Sequence, residues 1–241
     1  MMDEQEKLIL LTNDDGIQSP GIAAAARALQ GLGRLVVAAP REQQTSAGRS
    51  LPVTTDGKIE RVTLDSLEDV EAYAVGGTPA QAVLHALLEI LPRRPDLVVS
   101  GINPMANFGH DVTYSGTVTC AMEAAIWGVT AIAVSLDTPE SHTGETDYGP
   151  AARVARKIAR AAIQFGLQSE VLLNVNVPFL LEEQLKGIQV TRQGLRVYHD
   201  KVNKRTDPRG NPYYWVIGDM PTGIPDRGTD IGALENGYVS V

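Results

Sequence analysis

Short segments rich in apolar residues recur along the chain, at residues 8–11, 34–39, 96–100, 130–136 and 171–177. Runs of this length are typical of strands that are buried on both faces of a parallel sheet. Segments with apolar residues at helical spacing alternate with these runs, for example over residues 83–91 and 150–165. The alternation predicts an α/β protein with a mostly parallel sheet.

Helix-start signals support this pattern. Ser19 and Thr78 each stand directly before a proline. A small polar residue followed by proline is typical of a helix N-terminus, because its side-chain oxygen accepts a bond from a free backbone amide. The segment over residues 8–39 is therefore a strand–helix–strand unit, for which we expect parallel strands and a right-handed crossover.

The C-terminal part of the chain has a different pattern. Aromatic residues cluster there among glycine and proline turns, namely Tyr198, Tyr213, Tyr214, Trp215 and Tyr238. This composition predicts β-hairpins. We expect a core over residues 1–190 and a C-terminal extension over 191–241, and aromatic-rich appendages often serve association.

Composition narrows the classes of function. With 241 residues, of which 43% are hydrophobic, the chain can form one large α/β domain with an appendage. A net charge of −8 argues against a nucleic-acid polymer as partner, because no basic face is evident. The single cysteine, Cys120, excludes an intrachain disulfide and a cysteine-rich metal site. The acidic first residues and the short apolar runs predict a cytoplasmic protein with no membrane partner.

Two adjacent carboxylates, Asp14 and Asp15, follow the first apolar run. Ligands of open parallel sheets bind beyond the carboxyl ends of the strands. Two negative charges at that place repel each other unless a cation lies between them, and carboxylate oxygens suit Mg²⁺ or Mn²⁺. The pair therefore indicates a metal site, and the alternative is that the two acids cap a helix or close a turn.

Other oxygen donors follow the next strands. Thr45 or Ser46, in the polar segment 41–50, could supply a hydroxyl ligand, and Arg49 could approach a phosphate. Asn103 lies in the long connection over residues 100–118, and long connections in compact domains are usually functional.

The same connection ends in Ser115-Gly116-Thr117, directly before an apolar helix. Backbone amides at a helix start, with two hydroxyls beside them, are suited to hold a phosphate, although an ordinary helix cap is the alternative. A phosphate there would face the metal, which could polarise it and orient a water molecule for attack. These parts predict a phosphomonoesterase. No P-loop and no Gly-x-Gly-x-x-Gly after the first strand are present.

Several motifs resemble the SurE family (survival protein E) in the same order along the chain. They are Leu11-Thr12-Asn13-Asp14-Asp15-Gly16, Gly77-Thr78-Pro79-Ala80, Ser100-Gly101-Ile102-Asn103 and Tyr114-Ser115-Gly116-Thr117-Val118. The resemblance implies a Rossmann-like three-layer sandwich with a C-terminal β-hairpin extension. It also implies a metal-dependent nucleotidase that hydrolyses nucleoside 5′- and 3′-monophosphates, often with polyphosphate cleavage, and homodimers or homotetramers formed through the extension.

The resemblance also assigns metal ligands. Asp14 and Asp15 match the family's carboxylates, Asn103 its asparagine, and Thr45 its hydroxyl ligand, with Ser46 as the neighbouring alternative. This set implies one Mg²⁺ or Mn²⁺ per subunit.

For the phosphate, the resemblance assigns Asn107, Ser115, Gly116 and Thr117. The residues expected to take part in catalysis are Asp14, Asn103, Asn107 and Ser115. The alternative function is a metal-dependent nucleotide-binding protein without turnover.

Position alone makes His110, Asp111 and Asp230 candidates for a general acid or base. His110 stands where an acidic residue is common in the family.

Overall fold

The structure is a computed structural model that describes residues 6–52, 57–65 and 67–241. Its strands are β1 (Leu8–Thr12), β2 (Arg34–Pro40), β3 (Ile59–Val62), β4 (Glu71–Val75), β5 (Leu97–Asn103), β6 (Ala131–Asp137), β7 (Leu172–Pro178), β8 (Ile188–Gln189), β9 (Leu195–Thr206), β10 (Pro212–Ile224) and β11 (Val239–Ser240). Its α-helices are α1 (Pro20–Leu29), α2 (Pro79–His85), α3 (Gly116–Ile126), α4 (Gly149–Phe165) and α5 (Asp230–Glu235).

Within the described residues, nine strands form one sheet in the order β3-β4-β2-β1-β5-β6-β7-β11-β8. The six central strands, from β4 to β7, are parallel, whereas β3 and β11 each run antiparallel to a neighbour. The predicted class, an α/β protein with a mostly parallel sheet, is confirmed. Of the described helices, none is both long and apolar enough to cross a membrane.

Helices cover both faces of the sheet. One core cluster joins α1 and α4 to one face, with Ile22, Leu29 and Ile158 among its members. A second cluster joins α2 and α3 to the other face through residues such as Val83 and Cys120. These two apolar layers explain why the central strands are mostly apolar, because these strands are covered on both faces of the sheet.

The predicted helix caps are present. The Ser19 side chain accepts a bond from the Ile22 amide, and Thr78 forms a reciprocal capping box with Gln81. The helix that Thr78 begins does not stay α-helical to its end, because a wider turn over Ala86–Ile90 follows α2.

Two segments of the predicted extension take different places. Strands β9 and β10 form a separate two-stranded antiparallel sheet, a long hairpin. In contrast, β11 returns to the main sheet and lies between β7 and β8.

Candidate active site

The site lies between β1 and β5, where the order in which strands are added to the sheet reverses. The chain steps outward from β1 through β2 to β4 on one side, and from β5 through β6 to β7 on the other. The carboxyl ends of neighbouring strands diverge at such a switch point and leave a crevice for a ligand. Asp14 follows β1, and Asn103 is the last residue of β5, three residues beyond the predicted end of that strand.

Asp14 is buried against the start of α3. The Thr117 hydroxyl donates a hydrogen bond of 2.5 Å to Asp14 Oδ1. Gly116 lies so close that an added Cβ would stand 2.5 Å from the Asp14 Cβ. Burial raises the pKa of Asp14, although the Thr117 hydroxyl and the backbone amides of Gly116 and Thr117 oppose that shift. The helix start therefore offsets part of the cost of burying this carboxylate.

Asp15 is less well satisfied. Its Oδ2 is buried and has no hydrogen-bond partner in the described part of the chain. Burial and, after it, the nearby Asp14 charge raise the pKa of Asp15 to about 7. Asp15 lines a second cavity, of about 510 Å³, together with Arg41 and Tyr148.

The main cavity has a volume of about 860 Å³ and brings together six of the residues predicted to hold the metal or the phosphate. These are Asp14, Thr45, Ser46, Asn103, Asn107 and Ser115. Gly116 and Thr117 lie behind Asp14 and do not line this cavity. The side chain of Asn103 donates from Nδ2 to the Met105 carbonyl at 2.5 Å, which leaves Oδ1 as the amide atom for a ligand.

The segment that carries Thr45 is tied to the rest of the site. The Gln44 amide donates to the Asp14 carbonyl at 2.7 Å, and the Gly48 amide donates to the Tyr114 carbonyl at 3.2 Å. Arg49 does not approach the cavity, because its Nε donates to Glu123 Oε2 on α3 at 2.8 Å. Our expectation that Arg49 contacts a phosphate is therefore wrong, and the residue anchors the segment instead.

Asn107 is fixed by side chains that the sequence analysis missed. The backbone amide of Asn107 donates to Asn176 Oδ1 at 2.7 Å, and its side-chain Nδ2 donates to Ser135 Oγ at 2.8 Å. Its carbonyl accepts from Nδ2 of Asn174 and of Asn176, at 2.7 and 3.0 Å. The available signal was the pair of asparagines inside the otherwise apolar strand β7, since buried polar groups need partners.

The outer wall of the cavity includes Phe108, Asp111 and Arg196. Arg196 comes from β9 of the hairpin, and its Nε lies 3.0 Å from Asp111 Oδ2, although the angle is not that of a hydrogen bond. The sequence analysis also missed Arg196, because nothing local distinguishes one arginine in a strand.

The three candidates for a general acid or base differ in position. Asp230 is buried and accepts from the amides of Gly109, Gly194 and Ile231, so it acts as a structural link between loops. His110 is exposed and does not line the main cavity. Only Asp111 of the three lines it.

The residues present fit a divalent cation. The donors are all oxygens, and the buried, unpartnered Oδ2 of Asp15 next to a second carboxylate is a position that a cation would stabilise. Among the described residues, no group of three or more histidine, cysteine or acidic side chains is placed to hold a metal. A set with only two carboxylates therefore needs the neutral oxygens of Asn103 and of Thr45 or Ser46.

Fold and cavity together define a doubly wound α/β protein whose main cavity, at the switch point, contains several side-chain oxygens. The family model described as "Survival protein SurE" matches residues 9–200, and the chain belongs to the SurE family. The resemblance noted from the motifs is thereby confirmed.

Similar proteins cover nearly the whole chain. "5'-nucleotidase SurE" of Herpetosiphon aurantiacus is 46% identical over 233 residues, which are 97% of this chain and 90% of that protein. "5'-nucleotidase SurE 1" of Thermus thermophilus is 45% identical over 234 residues, which are 97% of this chain and 89% of that protein. The crystal structure of the SurE protein from Aquifex aeolicus superposes with a TM-score of 0.81 at 41% identity, covering 97% of this chain and 91% of that one.

Proposed function

We propose that this chain is a divalent-metal-dependent phosphomonoesterase that hydrolyses nucleoside 5′- and 3′-monophosphates to nucleoside and phosphate. The observation that carries the proposal is the buried Asp14 carboxylate at the switch point, packed against the start of α3. Relatives at 45–46% identity that bear the name 5′-nucleotidase support the same activity for this chain.

The cation would be held by Asp14, Asp15 and Asn103, with Thr45 or Ser46 as the hydroxyl ligand. We propose one Mg²⁺ or Mn²⁺ per subunit. When bound, such a cation polarises phosphoryl oxygens and orients a water for in-line attack. Asp14 is kept in place by Thr117, and Asn103 by Met105, so both ligands are oriented before a cation arrives.

The phosphate would lie at the start of α3. The amides of Gly116 and Thr117 and the positive end of the helix dipole favour an anion there, as they already do for Asp14. Ser115 and Asn107 line the cavity beside that position. Thr117 acts on Asp14 through both its hydroxyl and its backbone amide.

A release assay separates hydrolysis from binding without turnover. Purified protein is incubated with AMP and Mn²⁺ or Mg²⁺, inorganic phosphate is measured, and EDTA is then added. We expect phosphate release that EDTA stops and that fresh Mn²⁺ restores. A protein that binds AMP in the presence of metal but releases no phosphate would favour the alternative, a nucleotide-binding protein.

We also propose that the 191–241 extension forms a homodimer or homotetramer through its hairpin. Val202, Tyr214, Trp215 and Val216 are all more than half exposed there, and several exposed apolar residues on one element are typical of an interaction surface. The proposed location is the cytoplasm, and polyphosphate cleavage is proposed only as a side activity.

A further inference from the structure

The outer wall of the main cavity contains a flat, immobilised cation. The guanidinium carbon of Arg196 lies 4.6 Å from the centroid of the Phe108 ring, and its Nε lies 3.0 Å from Asp111 Oδ2. Only 14% of the Arg196 side chain is exposed. The contact with the Phe108 ring and the ion pair with Asp111 restrain the guanidinium, which reduces the entropy lost when a ligand binds to it.

Asp111 is itself held from a second direction. The Tyr198 hydroxyl, also from β9, donates to Asp111 Oδ1 at 2.5 Å. Gln193 Nε2, just before β9, donates to the Gly109 carbonyl at 2.7 Å. The start of the hairpin is therefore joined to the segment 108–113, and it contributes Arg196 to the cavity.

The charge around Arg196 does not suit a second phosphate. Asp111, Asp137 and Glu140 line the same cavity as Arg196. Among the described residues that line it, acidic side chains therefore outnumber the guanidinium of Arg196. Arg196 also acts on Asp137, whose pKa burial raises and the Arg196 charge partly lowers. An additional phosphate would meet repulsion from these acids, whereas a neutral, planar group would not.

We propose that Arg196 is a specificity-determining residue that recognises the base of the nucleotide by stacking its guanidinium plane on the ring. This inference rests on the proposed function, because it assumes that the phosphate lies at the start of α3. Nucleobases stack on guanidinium planes and on aromatic rings in many binding sites, without regard to sequence. Tyr114, which lines the cavity and is well exposed, is placed to contact the same ring.

The test compares a substrate that has a base with one that lacks it. We would measure kcat/KM for AMP and for ribose 5-phosphate, with Mn²⁺, in the wild type and in Arg196→Met and Arg196→Lys. We expect Arg196→Met to lower kcat/KM for AMP about tenfold, mainly through KM, as lost stacking predicts. For ribose 5-phosphate, Arg196→Met should have the same kcat/KM as the wild type. Arg196→Lys keeps the charge but not the plane, and should behave like Arg196→Met.

Two controls isolate the role of the base. Arg160→Met removes an exposed arginine on α4 and should change neither substrate. Tyr198→Phe removes the other bond to Asp111 and should affect both substrates equally, because it disturbs the segment and not the stacking surface. Thermal unfolding of each variant shows whether a loss comes from misfolding.

An equal loss on AMP and ribose 5-phosphate in both Arg196 variants would overturn the inference and leave Arg196 as a positioning residue. A larger loss on inorganic tripolyphosphate than on AMP would also overturn it, because Arg196 would then bind a further phosphate. A wild type that releases no phosphate refutes the proposed function instead. In that case, calorimetry with Mn²⁺ gives the Kd values of AMP and ribose 5-phosphate for the wild type and the Arg196 variants. A loss of affinity for AMP alone supports the role of Arg196, and an equal loss for both ligands overturns it.

Discussion

The inner and outer walls of the main cavity are built in different ways. The inner wall includes Asp14 and Asn103, which lie at the ends of central parallel strands, and Ser115, the cap of α3. The outer wall includes Arg196, which a hairpin outside that sheet carries to the cavity. The difference suggests a division of labour: the inner wall is assigned to the chemistry, and the outer wall to the choice of substrate and to assembly.

The largest effect is expected from Asp14→Asn. We expect kcat for AMP to fall by about 10³-fold or more, because an anionic metal ligand and with it several kcal/mol of charge stabilisation are lost. The Tm should change little, since asparagine has the same shape, can accept from Thr117 and carries no charge to desolvate. Phosphate release and thermal unfolding measure the two effects. Turnover at the wild-type rate would refute the role of the inner wall.

Gly116→Ala should have the next largest effect. The added Cβ would stand 2.5 Å from the Asp14 Cβ, so either Asp14 or the helix start must move. We expect a loss of about 1–3 kcal/mol in the free energy of unfolding, as for other overpacked sites. Mn²⁺ affinity should fall as well, because Asp14 is displaced, and calorimetry measures it. Unchanged affinity here, with weakened Mn²⁺ binding in Asp14→Asn, would mean that the helix start moves instead of Asp14. Unchanged affinity in both variants would mean that Asp14 is not a ligand.

A matched pair at Thr117 gives a smaller and more specific effect. Thr117→Ser keeps the hydroxyl that donates to Asp14, whereas Thr117→Val removes it and keeps the shape. We expect Thr117→Val to weaken Mn²⁺ binding about 10- to 100-fold, as the loss of a group that orients a ligand typically does. Thr117→Ser should bind Mn²⁺ nearly as the wild type does. Equal behaviour of the two variants would contradict this role of the hydroxyl.

The smallest effect on catalysis is expected from Trp215→Ser, in the hairpin. This exposed aromatic residue is a candidate anchor of the proposed oligomer, and its truncation should weaken association by about 2 kcal/mol. Light scattering measures the mass, and Phe165→Ser, at the end of α4, is the exposed control. A large loss of kcat with unchanged mass would mean that the walls are not separate in function.

The sequence allowed the inner wall to be predicted better than the outer wall. The apolar run of β1 and the Ser19 cap are local signals, and the geometry of parallel sheets then brings Asp14 and Asn103 to one edge. The packing of Gly116 against Asp14 could not be read in this way, because it depends on how closely α3 approaches β1.

Long-range partners were the other part that sequence reasoning missed. Asn107 is held by Asn174 and Asn176, which lie in a different strand far along the chain. Arg196 pairs with Asp111 across a similar separation. Such pairs arise from the tertiary arrangement and leave only indirect traces in the sequence, such as the polar residues in β7.

In the proposed mechanism, one cation on the Asp14–Asp15 pair is required for phosphate release. The most direct measurement titrates Mn²⁺ into metal-free protein and follows both bound Mn²⁺ and phosphate release from AMP. We expect activity to rise from zero in parallel with the binding of one Mn²⁺ per chain, and we expect Asp14→Asn to abolish both responses. Full activity in the metal-free protein, or activity that rises without Mn²⁺ binding at this pair, would contradict it.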